Sequence, residues 1–517
     1  MPKRSDRADV LLVSEVGSAD ESLPLAEETP LIIGVLGEFT GRALGEADAP
    51  ETLADLKPIE IDRDNFDAVM ERLGVRFEAT LDGGAGAGGE GWKAQLFMRG
   101  IESFHPDEIL KQIEPLRALL ELRRALDDPA KFNAAAAQVR KWIKPSDAAT
   151  TIPRPEGTSS LLEAIIEETD PSPATPAPKR PLADLDRFVR EIVRPHLIQI
   201  DLGQQKQLTA AVESLLGEQL RAVLHHKDFQ RLEAAWRALH FLVTNAETGT
   251  ELKIYLLDVS KSALENDLAK AEGIEASMFF KNLFSFSSEC GSPWGAFIAN
   301  YDFGINDVEL LDRIARIAQR VGAPFVAAAH PLFLGAESFT EIPSAKTLVR
   351  LFEGEPYSAW RAFRKSPQAR SAALLLPRFL LRLPYGAESD PVRSFAFEEG
   401  VSGRDHEKYL WGNAAFAFAV ILAREFTERG WSLDPARLAG RLEGMLLHVY
   451  EEAGIKQTKP CAEVLLPDGL TGALNSQGFM LLVSHRDRDF VMIPSARSVA
   501  DPPALLAGHW SSSPKKQ

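Results

Sequence analysis

The sequence predicts a mixed α/β and α+β protein built of several domains. Three observations carry this. The chain has 517 residues, too many for one hydrophobic core. Between residues 251 and 330 short apolar runs alternate with helical patterns, as in a parallel sheet with crossover helices. Between residues 31 and 126 half-buried strands mix with short amphipathic helices. The composition, 45% hydrophobic and 26% charged, is that of a globular protein. No apolar run reaches the roughly 18 residues of a membrane span, so no membrane insertion is expected. The basic start, Met1 to Arg7, is not followed by an apolar segment, and no signal peptide is expected. Two cysteines, Cys290 and Cys461, in a chain this long suit a reducing cytosol. A net charge of −16 argues against nucleic-acid binding.

The elements follow in chain order. Residues 9–14 form a short β-prone run, set apart by an acidic stretch from Glu15 to Glu28. A lone strand leaves its backbone groups unpaired. Val10, Leu11, Leu12 and Val13 are therefore read as a strand added to the sheet edge of another copy. The apolar run from Leu31 to Phe39 is a strand, and residues 57–61 are a brief one. Phe66, Val69, Met70 and Leu73 fall at helical spacing. Residues 75–81 and 94–104 read as half-buried strands, and 106–126 as a helix with Pro106 in its first turn.

Eight prolines mark a join: Pro145, Pro153, Pro155, Pro171, Pro173, Pro176, Pro178 and Pro181. Such stretches are extended spacers. Between them, Ser160 and Glu163 have the form of a capping box. Leu161, Leu162, Ile165 and Ile166 make one apolar stripe that needs a partner.

Beyond the join, residues 185–198 and 204–243 read as helices, the second broken near His225 and His226. Strands are expected at 251–258, 294–302 and 324–330, with Asn306 capping a helix that runs to Arg320. The stretch around which the chain is organised is 374–419. Its first part, Leu374 to Gly386, is an apolar strand carrying Arg378 and Arg382; a buried arginine needs a partner, so both are expected in ion pairs. Glu388, Asp390, Glu398, Glu399 and Asp405 supply the carboxylates. Its second part packs Trp411, Phe416 and Phe418 among alanines, as a tight helix over 410–428. Residues 435–448 read as a further helix, and 462–466 and 478–493 as strands.

No catalytic apparatus stands out, and no enzyme activity, cofactor or metal site is expected. Gly84 to Gly89 satisfies the dinucleotide fingerprint in form, but a strand-like run follows where a helix is required. It reads as a loop between strands. His225 and His226 diverge by about 100° on a helix and do not share a metal. His330 precedes Pro331, with no triad order around it, and reads as structural.

Two resemblances organise these readings. The block from Leu374 to Gly386 and the block from Lys408 to Ala419 resemble the large subunit of the contractile sheath of type VI secretion systems (TssC, or VipB). So do the helix from His225 to His240 and the segments 324–335 and 337–343. Residues 30–39, 59–67, 103–107 and 116–123 resemble the sheath small subunit (TssB, or VipA). The chain is similar to a natural fusion of the two. The implied layout is a strand and linker at 1–29, a small-subunit-like α+β module at 30–143, and a proline-rich linker at 144–182 bearing a helix at 159–169. A larger α/β module at 183–510 and a tail at 511–517 complete it.

The resemblance implies a structural protomer. It would self-assemble into a helical sheath around an Hcp-like inner tube, stand on a baseplate, and contract to drive tube and spike into a target cell. An AAA+ unfoldase of the ClpV kind would recycle it by reading the 159–169 helix, and neighbours would share strands, with residues 478–493 as receivers. The readings outside this family are a soluble nucleotide-dependent enzyme and a monomeric adaptor that binds through the same helix.

Overall fold

The computed structural model describes residues 25, 28–42, 53–81, 91–142 and 202–512. The first strand, β1 (Leu31–Gly37), is buried at every position. A strand apolar on both faces belongs in the middle of a covered sheet, and β1 lies there. Strand β2 (Ile59–Glu60) and helix α1 (Phe66–Leu73) follow. Gly74 ends α1 in the left-handed conformation at φ 63°, which a Cβ disfavours. Strands β3 (Arg76–Leu81) and β4 (Trp92–Phe97) form an antiparallel hairpin with Leu81 opposite Trp92.

The strand expected over 94–104 stops at Phe97. Ser103 Oγ accepts from the Arg99 and Gly100 N–H groups and turns the chain into a 3₁₀ helix, Ile101–Phe104. The helix expected over 106–126 is two, α2 (Pro106–Gln112) and α3 (Glu114–Asp127). Pro115 has no N–H for the helical ladder, and Ile113 is extended between them. Helix α4 (Phe132–Trp142) follows.

Two long helices, α5 (Leu202–Leu224) and α6 (Lys227–Asn245), break at His225–His226, with the His226 ring accepting from the Asp228 N–H as the α6 cap. Strand β5 (Leu252–Asp258), helices α7 (Lys261–Lys270) and α8 (Met278–Cys290), β6 (Trp294–Phe303), α9 (Val308–Val321) and β7 (Phe325–Ala329) continue the alternation. Asn306 is not the cap of α9: it sits inside a 3₁₀ turn, Ile305–Asp307, where Asp307 accepts from the Gly304 N–H. Next come α10 (Ala345–Glu353), α11 (Ser358–Arg364) and β8 (Ala372–Leu376).

The apolar run from Leu374 is not one strand. Pro377 cannot donate to the ladder, and the chain re-enters as β9 (Phe379–Leu380), paired with β10 (Trp411–Gly412). Helix α12 (Ala415–Arg429) is buried through most of its length.

The helix expected over 435–448 is absent. A short 3₁₀ turn, Pro435–Leu438, leads to β11 (Gly440–Glu443). Leu438, Leu442 and Met445 fall at helical spacing and are all buried, but Leu442 reaches the core between exposed Arg441 and Glu443, as a strand residue. A hairpin of β12 (His448–Glu452) and β13 (Ile455–Lys459) follows, then α13 (Asp468–Ser476), β14 (Phe479–Leu481), β15 (Val483–Ser484) and β16 (Phe490–Ile493).

The central sheet has seven strands in the order β14-β8-β7-β6-β1-β5-β2. All pair in parallel except β2, which is antiparallel to β5. Thus β1 lies between two strands that begin more than 200 residues later, with Leu31 opposite Leu252 and Ile32 opposite Trp294. Hydrophobic cores cover both faces of the sheet. A smaller one joins α3 and α4 to α5 through Leu126, Phe132 and Val139 against Leu208 and Val212. No helix among the described residues is long and apolar enough to cross a membrane.

Candidate functional site

Three features stand out: the seam between the N-terminal and C-terminal segments, two arginine clusters, and an exposed hairpin. The seam is polar as well as apolar. Trp236 Nε1 on α6 donates to the Phe39 carbonyl at 2.8 Å, and the two rings meet edge to face at 5.3 Å. Asp107 at the start of α2 accepts from the Arg393 and Ser394 N–H groups, both at 3.0 Å, and from Ser394 Oγ. Trp92 Nε1 donates to Gln219, and Arg123 pairs with Glu213 at 3.0 Å.

Arg382 is 7% exposed and sits between two carboxylates that are wholly buried, Glu233 on α6 and Glu399. Its Nε donates to Glu233 Oε1 at 2.9 Å and its Nη1 to Glu399 Oε2 at 2.8 Å. Arg237 takes the same Glu233 oxygen at 2.7 Å, and the guanidinium of Arg382 lies 4.4 Å from the Tyr385 ring centre. Burial alone would raise the Glu399 carboxyl. The Arg382 charge, with hydrogen bonds from His225, Arg382 and the Tyr385 N–H, holds it at about 2 instead.

Arg378 is 31% exposed and grips Glu463 through Nε and Nη2 at 2.8 and 2.6 Å. His406 Nε2 meets the same carboxylate at 2.7 Å. Burial raises Glu463, but Arg378 and then His406 bring it down to about 2. Trp411 is buried beside this cluster, its Nε1 donating to the His406 carbonyl at 2.9 Å. Of the carboxylates near the two arginines in sequence, only Glu399 pairs with either. Glu233 and Glu463 come from distant segments, and no local pattern marks them.

The β12–β13 hairpin closes through Ala453 and Gly454, both at positive φ (52° and 77°), as a two-residue primed turn requires. One face is held: Tyr409 Oη bonds His448 Nδ1 at 2.7 Å, and Lys459 Nζ lies 5.6 Å from the Trp411 ring centre. On the other face Val449 is 51% exposed, and Ile455, opposite Glu452 beside the turn on the His448 face, is 63% exposed. Among the described residues neither strand has a second neighbour, so both edges keep free backbone groups.

The remaining residues singled out in the sequence fall as follows. Gly84 to Gly89 lies outside the described residues. Its flanks are the two antiparallel strands β3 and β4, and no helix follows it. His330 caps a 3₁₀ turn by accepting from the Leu332 N–H. Val10, Leu11, Leu12, Val13, Leu161, Leu162, Ile165 and Ile166 all lie outside the described residues.

The two halves of the seam each match a known family. The profile of the VipB (EvpB) tail sheath N-terminal domain matches residues 206–500, more than half of the chain. The chain belongs to the VipB tail-sheath family of type VI secretion systems. The profile of type VI secretion VipA matches residues 2–145 of the same chain. A curated relative, the type VI secretion system sheath protein TssC1 of Pseudomonas aeruginosa, is 34% identical over 363 residues, 67% of this chain and 72% of that protein. The chain is thus a fused TssB/TssC sheath protein. Strand β1, in the VipA-matching segment, is inserted between β6 and β5 of the VipB-matching segment, and β2 of the first segment pairs on the far side of β5.

Proposed function

We propose that the chain is a sheath protomer carrying both small-subunit and large-subunit parts, which polymerises into a contractile tube around an inner tube. The observation that carries this is the placement of β1 between β5 and β6. The VipA-like and VipB-like segments share one sheet, so a single chain holds both sheath parts at a ratio of one to one. The work is mechanical. Contraction drives an Hcp-like tube and its spike outward from a baseplate in the bacterial cytoplasm, and no catalysis is assigned.

Neighbours are linked by strand addition, with residues 10–13 as the donor. The receiving edge is assigned to β12–β13 rather than to 478–493. In the latter segment β14 and β15 are three and two residues long, and β16 is flanked on both sides by β11 and β15. The hairpin strands are five residues each, and both edges are free among the described residues. Deleting residues 1–15 tests the link. The shortened chain is expected to stay folded and soluble but to form no coherent tube; normal tubes from it, or an unfolded chain, would count against strand exchange.

Recycling is assigned to an AAA+ unfoldase that reads Leu161, Leu162, Ile165 and Ile166. Leu162→Asp with Ile166→Asp is expected to leave assembly intact and stop disassembly. Disassembly at the normal rate would give this segment another role.

A further inference from the structure

The held face of the β12–β13 hairpin rests on one loop. Tyr450 Oη lies against Gly403, Glu452 pairs with Arg404, and the Tyr409 hydroxyl meets His448. At the base of the hairpin His448 stands opposite Lys459. Lys459 is 9% exposed. Its Nζ lies 5.4 and 5.6 Å from the Tyr409 and Trp411 ring centres and 3.2 Å from His406 Nδ1.

From His406 a line of contacts leads to the central sheet. His406 Nε2 meets Glu463 at 2.7 Å, and the same carboxylate takes Arg378. The Glu463 N–H also donates to the Arg378 carbonyl at 2.8 Å. Arg378 stands just beyond the end of β8. The hairpin base is thus tied to the sheet through Lys459, His406, Glu463 and Arg378. The His406 side chain is 11% exposed and Glu463 is wholly buried.

This line works with one form of His406 only. A lysine ammonium has protons to give and no lone pair to accept with, so His406 Nδ1 is bare. Burial works against the charge on Lys459, but Glu463 and the faces of two aromatic rings work for it. Glu463 is held at about 2 and is ionised at neutral pH, so it only accepts, and His406 Nε2 carries the proton. Both ring nitrogens of the neutral imidazole are therefore in use. A second proton would sit on Nδ1 and face Lys459, charge against charge.

The other charges around the line are paired or aimed elsewhere. Asp302, at the end of β6, and Glu407 act on Arg378. Asp405 pairs with Lys408, and Arg404 with Glu452 on the hairpin. The second imidazole at the hairpin base, His448, differs from His406. Its partner is a hydroxyl, which accepts as readily as it donates, so a proton on His448 leaves that bond in place. Burial also pushes His448 below the ordinary imidazole range.

We propose that His406 is a positioning residue for the receiving hairpin: as a neutral imidazole it fixes β13 to the end of β8, and on protonation it lets go of Lys459. This rests on the reading of β12–β13 as the edge that takes a neighbour's strand, for which the hairpin must be held at a fixed angle to the sheet. The hold itself lies within one chain. Its test therefore needs no assembly, and its failure is distinct from failure of the strand link.

The test is hydrogen exchange on the one-chain fraction of the full-length protein, read on peptides covering 446–460 between pH 7.5 and 5.5. That range spans the ordinary imidazole titration and stays above that of Glu463. After correction for the intrinsic pH dependence of amide exchange, the hairpin is expected to open roughly tenfold more at pH 5.5, the size of one lost hydrogen bond to a charged group. Peptides from β6 and β7 are expected not to respond. His406→Gln cannot titrate, and Lys459→Met removes the charge that the second proton would face; each is expected to hold the hairpin at one level across the range. His448→Gln is expected to keep the response. A hairpin indifferent to pH in the unaltered protein, or a response shared by β6 and β7, would overturn the proposal. So would a response that survives in both His406→Gln and Lys459→Met, or one that disappears only with His448→Gln.

Discussion

Arg382 Nη1 donates to Glu399 Oε2 at 2.8 Å where neither side chain reaches water to any extent. The same guanidinium holds Glu233, so it ties α6 to the segment 382–399 across the core. Removing one member of such a group leaves a buried charge unmatched, at a cost of about 3–5 kcal/mol. Arg382→Ala is therefore expected to lower the denaturation midpoint steeply, before any effect on assembly is read. Arg378→Ala is expected to cost less, because Arg378 is 31% exposed and water can reach the Glu463 site it leaves. Equal midpoints for Arg382→Ala and the unaltered chain would show that the cluster is not a structural clamp.

Acid is expected to loosen the same clusters. Glu399 and Glu463 are both held at about 2 in the folded chain, below the ~4.3 of an unfolded glutamate. Their contribution is complete above the unfolded value and is lost as pH falls from there toward 2. A denaturation series between pH 7 and pH 2.5 should show stability declining below about pH 5. Glu399→Gln should be less stable at pH 7 and show a shallower acid slope. An identical slope in both proteins would remove Glu399 from the account.

The central position of β1 gives a steric prediction. A Cβ on Gly34 would meet Phe297 at 2.8 Å and Trp294 at 2.9 Å, both from β6. Gly34→Val should overpack this contact, with a loss of about 1–3 kcal/mol or more. Soluble yield of the whole chain should fall with it. A neutral substitution would mean that β1 is not inserted beside β6.

The hairpin gives the opposite pattern. Val449 and Ile455 are 51% and 63% exposed, so Val449→Lys with Ile455→Lys should shift the melting midpoint little. Charge on an open edge blocks strand addition. Tube formation should therefore fail in a well-folded protein. Normal tubes from this double variant would move the link elsewhere.

How much was legible in the sequence depended on the distance over which a residue acts. The strand character of Leu31–Gly37 was plain, because seven successive buried positions need only their own apolar side chains. Its neighbours β5 and β6 were not, since nothing local encodes a pairing across 200 residues. Arg382 announced a need for a partner. Glu399, 17 residues away, could be named, while Glu233, 149 residues away on α6, could not. Leu438, Leu442 and Met445 misled because one spacing served both a helix and the actual turn and strand. The hairpin β12–β13 gave no hydrophobic signal, because one face rests on Tyr409 and Trp411 and the other is exposed at Val449 and held by a polar contact from Thr458 to Asp487.

The central claim is that one chain supplies both the small-subunit and the large-subunit parts of a sheath protomer. Negative-stain microscopy of the purified full-length protein, alone and with inner-tube protein added, tests it most directly. Hollow tubes or cogwheel-like rings built from the single chain are the predicted result. A protein that stays monodisperse at the mass of one chain under both conditions would contradict it.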